Sequence, residues 1–317
     1  MYLNKTTIDE PNFSIVLPGP CNANCKFCFW KKEKTHKNYI ERLKTVLDCL
    51  PSQFKQISLT GGEPTLSQYL REVVECIDKK KFPKVVLTTN GSGLLDSIQA
   101  ISGKVDHVNI SRHSILDEQN FTIFGTDKLI PTTSALNHLC YELNKQGIDV
   151  TLSAVLNKYI KKADDAILFI KYAKFMGASQ IFFRKEHGSI EPSSLEMNFR
   201  KFYKYTESSC PACRSVRQII QGIPVIWKTA ISEPSTALDE IYEVIYHPSG
   251  KLTEDWKKEK LVTFRFKEQT TSVNKSDASD RHNGNSRTSI RNSCYGTPSN
   301  GCYVDSYRFG CGRGSNC

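Results

Sequence analysis

At 317 residues, 39% hydrophobic and 24% charged, the chain is long enough for one large α/β domain or two ordinary ones, with ample material for a core. No run of about 18 apolar residues occurs, so no membrane-spanning helix is expected. The N-terminal "MYLNKTTIDE" has no basic-then-apolar leader, which points to the cytoplasm, where thiols stay reduced and clustered cysteines read as metal ligands. The net charge of +10 suits either lysine-rich solvated helix faces or a phosphate-bearing partner; no stripe of interleaved basic and aromatic residues selects nucleic acid.

Over the first 185 residues, short β-prone runs alternate with longer amphipathic ones. Strands are expected at 13–17 (FSIVL), 56–60 (QISLT), 84–89 (KVVLTT), 107–111 (HVNIS), 149–155 (DVTLSAV) and 180–184 (QIFFR). Helices are expected at 39–50, 66–80, 93–101, 133–147 and 162–177, with Gly147 and Gly177 where C-caps belong. Residues 112–132 form a longer excursion after the fourth strand. Six strand-helix units imply a parallel sheet with active residues at the strand C-termini. The fold class is α/β, a partial (β/α)6 TIM-like barrel over 1–188.

From about residue 190 the pattern changes. Residues 223–231 and 240–256 look antiparallel, the second with a hairpin turn at "HPSGK", and together they suggest a small C-terminal α+β extension over 189–270. The remainder, 271–317, is a low-complexity tail. Ser, Asn and Gly make up 19 of its last 43 residues, too few apolar side chains remain to bury a core, and disorder is expected.

"CNANCKFC" follows the first strand and carries Cys21, Cys25 and Cys28. A tetrahedral zinc site takes four ligands, usually as two C-x2-4-C pairs. Three thiolates on one loop can instead hold three irons of a [4Fe–4S] cube and leave the fourth iron open to a substrate or cofactor. Cys210 and Cys213 form a C-x2-C half-site. They suit an auxiliary metal centre completed by Cys294, Cys302, Cys311 or Cys317, a redox pair, or a structural role. Cys49, Cys76 and Cys140 lie on helix faces and read as core.

C-x3-C-x2-C with an aromatic, Phe27, before the last cysteine resembles the signature of radical S-adenosylmethionine (radical SAM) enzymes. "LTGGEPTL" after the second strand is similar to the family's Gly-Gly-Glu-Pro motif, at Gly61, Gly62, Glu63 and Pro64. The resemblance runs over about residues 12–185. It is nearest in look to the branch of the molybdenum-cofactor GTP cyclase and the peptide-modifying maturases. It implies a [4Fe–4S] cluster on Cys21, Cys25 and Cys28, with SAM chelated at the open iron. It further implies reductive cleavage to a 5′-deoxyadenosyl radical, which abstracts hydrogen from a nucleotide or peptide substrate. Gly61 and Gly62 would let the backbone approach SAM, with Glu63 as an anionic acceptor. Thr89, Asn90, Ser111 and Ser153 would contact SAM at successive strand ends, with Arg184 on the sixth.

Arg112 and Asn157 lie at strand ends as polar candidates; His113, Lys185 and His187 read as substrate-facing or solvated loop residues. The implied partners are an electron donor such as flavodoxin or ferredoxin and a small-molecule or peptide substrate; a second iron–sulfur cluster at Cys210 and Cys213 is open. That cyclase carries a third cysteine about a dozen residues after its C-x2-C pair, whereas here none follows Cys213 until Cys294, which speaks against GTP cyclisation. A zinc-dependent nucleic-acid module would explain the cysteines, charge and tail, but not Gly-Gly-Glu-Pro after the next strand. A glycyl-radical activase is the other enzymatic alternative.

Overall fold

The computed structural model describes residues 2–3, 7–28, 30–185, 193–207, 215–228, 240–256, 261–262, 264–265 and 306–308. The chain begins with β1 (Tyr2–Leu3) and β2 (Thr7–Leu17), then α1 (Tyr39–Cys49), β3 (Gln56–Gly61), a 3-10 turn (Pro64–Leu66) and α2 (Leu70–Glu75). It continues through β4 (Lys84–Thr89), α3 (Leu94–Ile101), β5 (His107–Ser111), α4 (Asp117–Phe124) and α5 (Thr133–Lys145). Next come β6 (Asp149–Val155), α6 (Ala163–Phe175), β7 (Gln180–Arg184), α7 (Ser194–Phe202), β8 (Tyr205–Glu207), β9 (Val216–Ile220) and β10 (Ile223–Lys228). β11 (Ile241–Tyr246), β12 (Leu252–Glu254), β13 (Phe264–Arg265) and β14 (Ser306–Arg308) complete the described elements.

The sheet order is β14-β12-β11-β2-β3-β4-β5-β6-β7-β10-β9-β8. From β11 through β10 every neighbouring pair is parallel, a run of eight strands. β11 and β10 do not pair with each other, so the fold is a partial, open TIM-like barrel. The C-terminal extension does not stack on this sheet; it lengthens it at both ends, β9 and β10 beyond β7 and β11 and β12 beside β2. The expected hairpin turn joins β11 to β12.

Strand alternation divides the sheet into two faces. Phe13, Ile15, Leu17, Ile57, Leu59, Val85, Leu87, Val108, Ile110, Val150, Leu152, Ile181 and Phe183 pack with apolar helix residues such as Leu43, Val73, Leu139 and Phe169 in one core. The opposite face is polar yet buried. Asn12 Nδ2 donates to Glu243 Oε1 (2.8 Å), and the Ser14 hydroxyl donates to the same oxygen. Gln56 and Ser58 donate to Asn12 Oδ1 at 3.0 and 2.9 Å. Further round, His107 bonds Thr151 and meets Gln180 at 3.2 Å.

This polar face is concave. Arg184 on β7 lowers the Glu243 carboxyl on β11 through its charge. Six strand-to-strand steps of about 4.8 Å lie between them along the sheet. A flat sheet would hold the two nearly 30 Å apart, where their interaction would be a small fraction of that at close approach. The sheet therefore curls and brings its two halves face to face.

Two local departures from the expected elements have clear causes. The helix expected over 66–80 is a 3-10 turn followed by the short α2. Ser67 turns the chain between them, its hydroxyl donating to the Pro18 carbonyl and accepting from Tyr69 N (3.2 Å). The excursion at 112–132 contains α4, whose Asn120 side chain bonds the backbone of His113, Ser114 and Leu116. Among the described residues no helix is long and apolar enough to cross a membrane.

Candidate active site at the strand C-termini

The cysteine loop leaves β2 through Pro18, Gly19 and Pro20. Cys28 N donates to the Cys25 carbonyl (3.0 Å), so the last two cysteines share one turn. Cys21 and Cys25 are half-buried and Cys28 is exposed. Burial pushes the Cys25 thiol up to about 12, and the neighbouring Cys28 and Cys21 thiols add to the rise. Burial likewise raises Cys21, with Glu63 and Cys28 contributing against a hydrogen bond from the Ala23 backbone. The three sulfurs thus lie within electrostatic reach of one another, in a pocket that disfavours bare thiolates. A bound metal cation reverses that preference, and a thiol-only donor set suits iron–sulfur ligation. Among the described residues, no three His, Cys, Asp or Glu are gathered tightly enough to hold a single metal ion.

The turn after β3 is fitted to this loop. Gly61 has φ +154°, and a Cβ there would stand 2.7 Å from the Leu17 carbonyl oxygen. A Cβ on Gly62 would stand 2.8 Å from the Pro20 carbonyl oxygen and 2.9 Å from the Trp30 ring. Both are closer than side chains tolerate, so Gly61 lets the turn touch the end of β2 and Gly62 lets it touch the cysteine loop on both flanks, at Pro20 and Trp30. Glu63 N donates to the Pro20 carbonyl (3.0 Å), and Pro64 starts the 3-10 turn, where no N–H is needed.

The Glu63 side chain does something the sequence did not indicate. It is 2% exposed, and its two oxygens take four donors: Thr65 N (3.0 Å), the Thr65 hydroxyl (2.7 Å), the Thr89 hydroxyl (2.5 Å) and Asn90 N (2.6 Å). Burial raises this carboxyl and the hydrogen bonds hold it down. The carboxylate clasps the ends of β3 and β4 together.

Thr89 and Asn90 belong to the same lattice. Thr89 Oγ1 also accepts from Gly91 N (2.9 Å). Asn90 Nδ2 donates to Asn22 Oδ1 (2.9 Å), and Asn22, inside the cysteine loop, donates to Ser92 Oγ and the Lys128 carbonyl, each at 2.9 Å. Phe27 packs edge-on against His113, whose ring also contacts Phe124; the centroids lie 5.1 and 5.0 Å apart. His113 is buried rather than solvated. Its Nδ1 accepts from Val155 N (3.1 Å), which fixes the neutral tautomer with the proton on Nε2, and burial pushes its pKa down to about 3. His113 wedges the cysteine loop from below.

Ser111 ends β5, and Ser153 pairs with it on β6. Ser153 Oγ accepts from Arg184 Nε (3.2 Å). Arg184 and its register partner Lys228 flank the Phe182 ring, the guanidinium carbon 5.4 Å and the lysine nitrogen 4.1 Å from its centroid. Arg112 points away from this group. Its guanidinium bonds Asp117, the Pro131 and Ile115 carbonyls and Thr133, and so secures the loop before α5. Asn157 caps its own turn and donates to the His113 carbonyl (2.9 Å). Lys185 N donates to the Lys228 carbonyl (3.2 Å). His187, Cys210, Cys213 and the tail cysteines lie outside the described residues.

Sequence reasoning missed Asn22, Lys228 and Glu243. Asn22 was legible as a polar residue inside the motif. Lys228 and Glu243 lie on C-terminal strands whose place in the sheet no local pattern announces.

Three comparisons bear on this arrangement. The profile of the Radical SAM superfamily matches residues 15–165. A S-adenosylmethionine-dependent nucleotide dehydratase of Lacinutrix mariniflava is 29% identical over 175 residues, 52% of this chain and 36% of that protein. A probable GTP 3′,8-cyclase of Thermococcus kodakarensis is 31% identical over 153 residues, 46% of this chain and 49% of that one. The alignments thus span between about a third and a half of these relatives. A crystal structure of Streptococcus suis SuiB bound to precursor peptide SuiA superposes with a TM-score of 0.48 at 17% identity, over 57% of this chain and 40% of that one. Residues 15–165, from the strand before the cysteine loop into the start of α6, thus match the radical SAM superfamily of enzymes.

Proposed function

We propose that this chain binds a [4Fe–4S] cluster through Cys21, Cys25 and Cys28 and cleaves SAM reductively to initiate radical chemistry on a nucleotide. The observation that carries the reading is the fit of the Gly61–Gly62 turn against both flanks of the cysteine loop at adjoining strand ends. With SAM bound and one electron added, such a cluster supplies a 5′-deoxyadenosyl radical.

The chain's own residues position, shield and select. Gly61 and Gly62 offer backbone carbonyls at the rim, where no side chain stands between them and a ligand ammonium. Glu63 acts through Thr89 and Asn90, holding the β4 end in place for SAM's carboxylate and ribose. Ser111 and Ser153 extend that row along β5 and β6, and Arg184 is tied to it through Ser153. Phe27, backed by His113, closes the loop's inner side against water. A nucleotide is favoured because two cations, Arg184 and Lys228, gather over the buried Phe182 ring, where they can meet a phosphate, and because both curated relatives are named for nucleotide or GTP chemistry. Glu243 faces them across the concave sheet.

Anaerobic reconstitution tests the cofactor. About four irons per chain and 5′-deoxyadenosine on reduction are expected. A colourless, zinc-loaded protein would falsify the reading. Deuterium passing from labelled nucleotides into 5′-deoxyadenosine tests the substrate; label arriving only from peptides overturns the nucleotide assignment.

A further inference from the structure

Between Lys26 and Lys37 the chain places five lysines, Lys26, Lys31, Lys32, Lys34 and Lys37, against one acid, Glu33. All five lysines are exposed. Glu33 is turned inward, its carboxylate 3.3 Å from Nδ1 of the buried His247 just past β11. His36 N donates to the Pro248 carbonyl (2.8 Å) and fastens the same segment to the β11–β12 turn. The segment is thus anchored by its acid and its backbone and presents cations to solvent. Lys79 and Lys81 are used differently: Lys79 pairs with Asp106, and Lys81 donates to the Leu47 and Asp48 carbonyls. The cationic segment adjoins Cys28, the exposed member of the three cysteines. Leu129, 64% exposed, follows Lys128, whose carbonyl is bonded to Asn22 of the same loop, and adds an apolar contact at the edge.

We infer that the exposed face carrying Lys26, Lys31, Lys32, Lys34 and Lys37 is the docking surface for a small acidic electron-transfer protein. The inference rests on the cluster proposed above. Electron transfer weakens steeply with distance, so a donor must dock where the metal centre comes nearest to solvent, and Cys28 marks that place. One electron crosses: the donor's redox centre loses it and the cluster gains it, with no atom or proton exchanged. A like-signed patch raises the encounter rate of an oppositely charged partner by about 10- to 1,000-fold, and added salt removes the gain.

The test compares the reconstituted wild type, the triple variant K31E/K32E/K34E and a remote triple variant K55E/K161E/K171E of equal charge change. Binding of an acidic flavodoxin is measured by calorimetry at several salt concentrations. 5′-Deoxyadenosine formation is driven in parallel by reduced flavodoxin and by dithionite. Flavodoxin binding is expected to weaken roughly 10- to 100-fold in K31E/K32E/K34E and by less than about twofold in the remote variant. Flavodoxin-driven turnover should fall with it, while the dithionite-driven rate stays at the wild-type level. Equal weakening in both variants, or unchanged flavodoxin affinity in the first, overturns the docking surface. So does loss of a single-stranded RNA probe with flavodoxin affinity intact. Failure of dithionite-driven cleavage in the wild type refutes the proposed function instead, and the binding measurement still reads the surface on its own.

Discussion

Replacing Glu243 by glutamine removes a buried charge from the concave face while keeping its shape. Burial raises this carboxyl from an ordinary 4.5 to about 7; the hydrogen bonds from Ser14, Asn12 and Trp256 and the Arg184 charge offset only part of that. Between those two values the folded protein holds a proton that the unfolded chain has released. Unfolding then releases protons, so stability falls as pH rises through that window and levels off above it. The whole interval corresponds to roughly 3 kcal/mol. Asn12 and Ser14 both donate to the single oxygen Oε1, so a glutamine carbonyl in its place keeps those two bonds, and setting an amide among three donors, Trp256 being the third, costs about 1 kcal/mol at acid pH. Glu243→Gln should therefore be slightly less stable than wild type at pH 5 and about 2 kcal/mol more stable at pH 8, roughly 4–8 °C in Tm. Buried histidines titrate in both proteins, so the difference between the two isolates Glu243. Thermal melts from pH 5 to 8.5 supply the curves. Parallel curves over that range would show that the carboxyl ionises normally and that the burial argument is wrong.

Two further variants probe the rim. Gly62→Ala puts a methyl 2.8 Å from the Pro20 carbonyl oxygen and 2.9 Å from the Trp30 ring, so the cysteine loop must shift. Iron incorporation should fall by half or more with a stability loss of about 1–3 kcal/mol, and full iron content by colorimetric assay would contradict the close fit. His113→Phe keeps the ring between Phe27 and Phe124 but removes a base held near 3 instead of 6.5. In wild type the unfolded chain gains a proton below about 6.5 that the folded protein refuses, so stability drops as pH falls. The variant loses the acceptor for Val155 N and should be weaker at neutral pH by about 1–3 kcal/mol. Its further loss between pH 7 and 5 should be smaller by roughly 2 kcal/mol; equal acid sensitivity by urea melts would count against a neutral, buried His113.

The barrel strands were legible because each is a short, apolar, β-branched run between amphipathic helices. The expected strands at 84–89, 107–111, 149–155 and 180–184 coincide with β4, β5, β6 and β7. Periodicity failed at 66–80, where Ser67 bonds Pro18, a partner 49 positions away in sequence. It also could not foresee that β10 and β11 would extend the parallel run, because strand pairing depends on contacts far apart in the chain. The cysteines and glycines of the site were readable for a chemical reason: thiols and missing side chains have few substitutes. Polar residues with many possible uses were not. Arg112, a strand-end cation on the page of sequence, is a brace for Asp117 and Thr133, whereas Lys228, unremarked there, flanks Phe182 beside Arg184.

The rim's hydrogen bonds divide its labour. Glu63, Thr89, Asn90 and Asn22 satisfy one another across β3, β4 and the cysteine loop, so their side chains are already committed before a ligand arrives. Groups locked in this way lose little freedom on binding, which keeps the entropic cost of assembling the site low. The Gly61–Gly62 turn adds backbone to that rim, its missing Cβ atoms letting it close on Leu17, Pro20 and Trp30. The loop is held hardest on its inner side, by Asn22, by Asn24 N on the Phe124 carbonyl at 2.7 Å and by the Phe27–His113 contact. Its outer side carries Cys28 and the lysines. On the proposed reading, rigidity falls on the side that would place SAM and access on the side that would receive an electron, because the cysteine loop and the lysine-rich segment after it meet different neighbours.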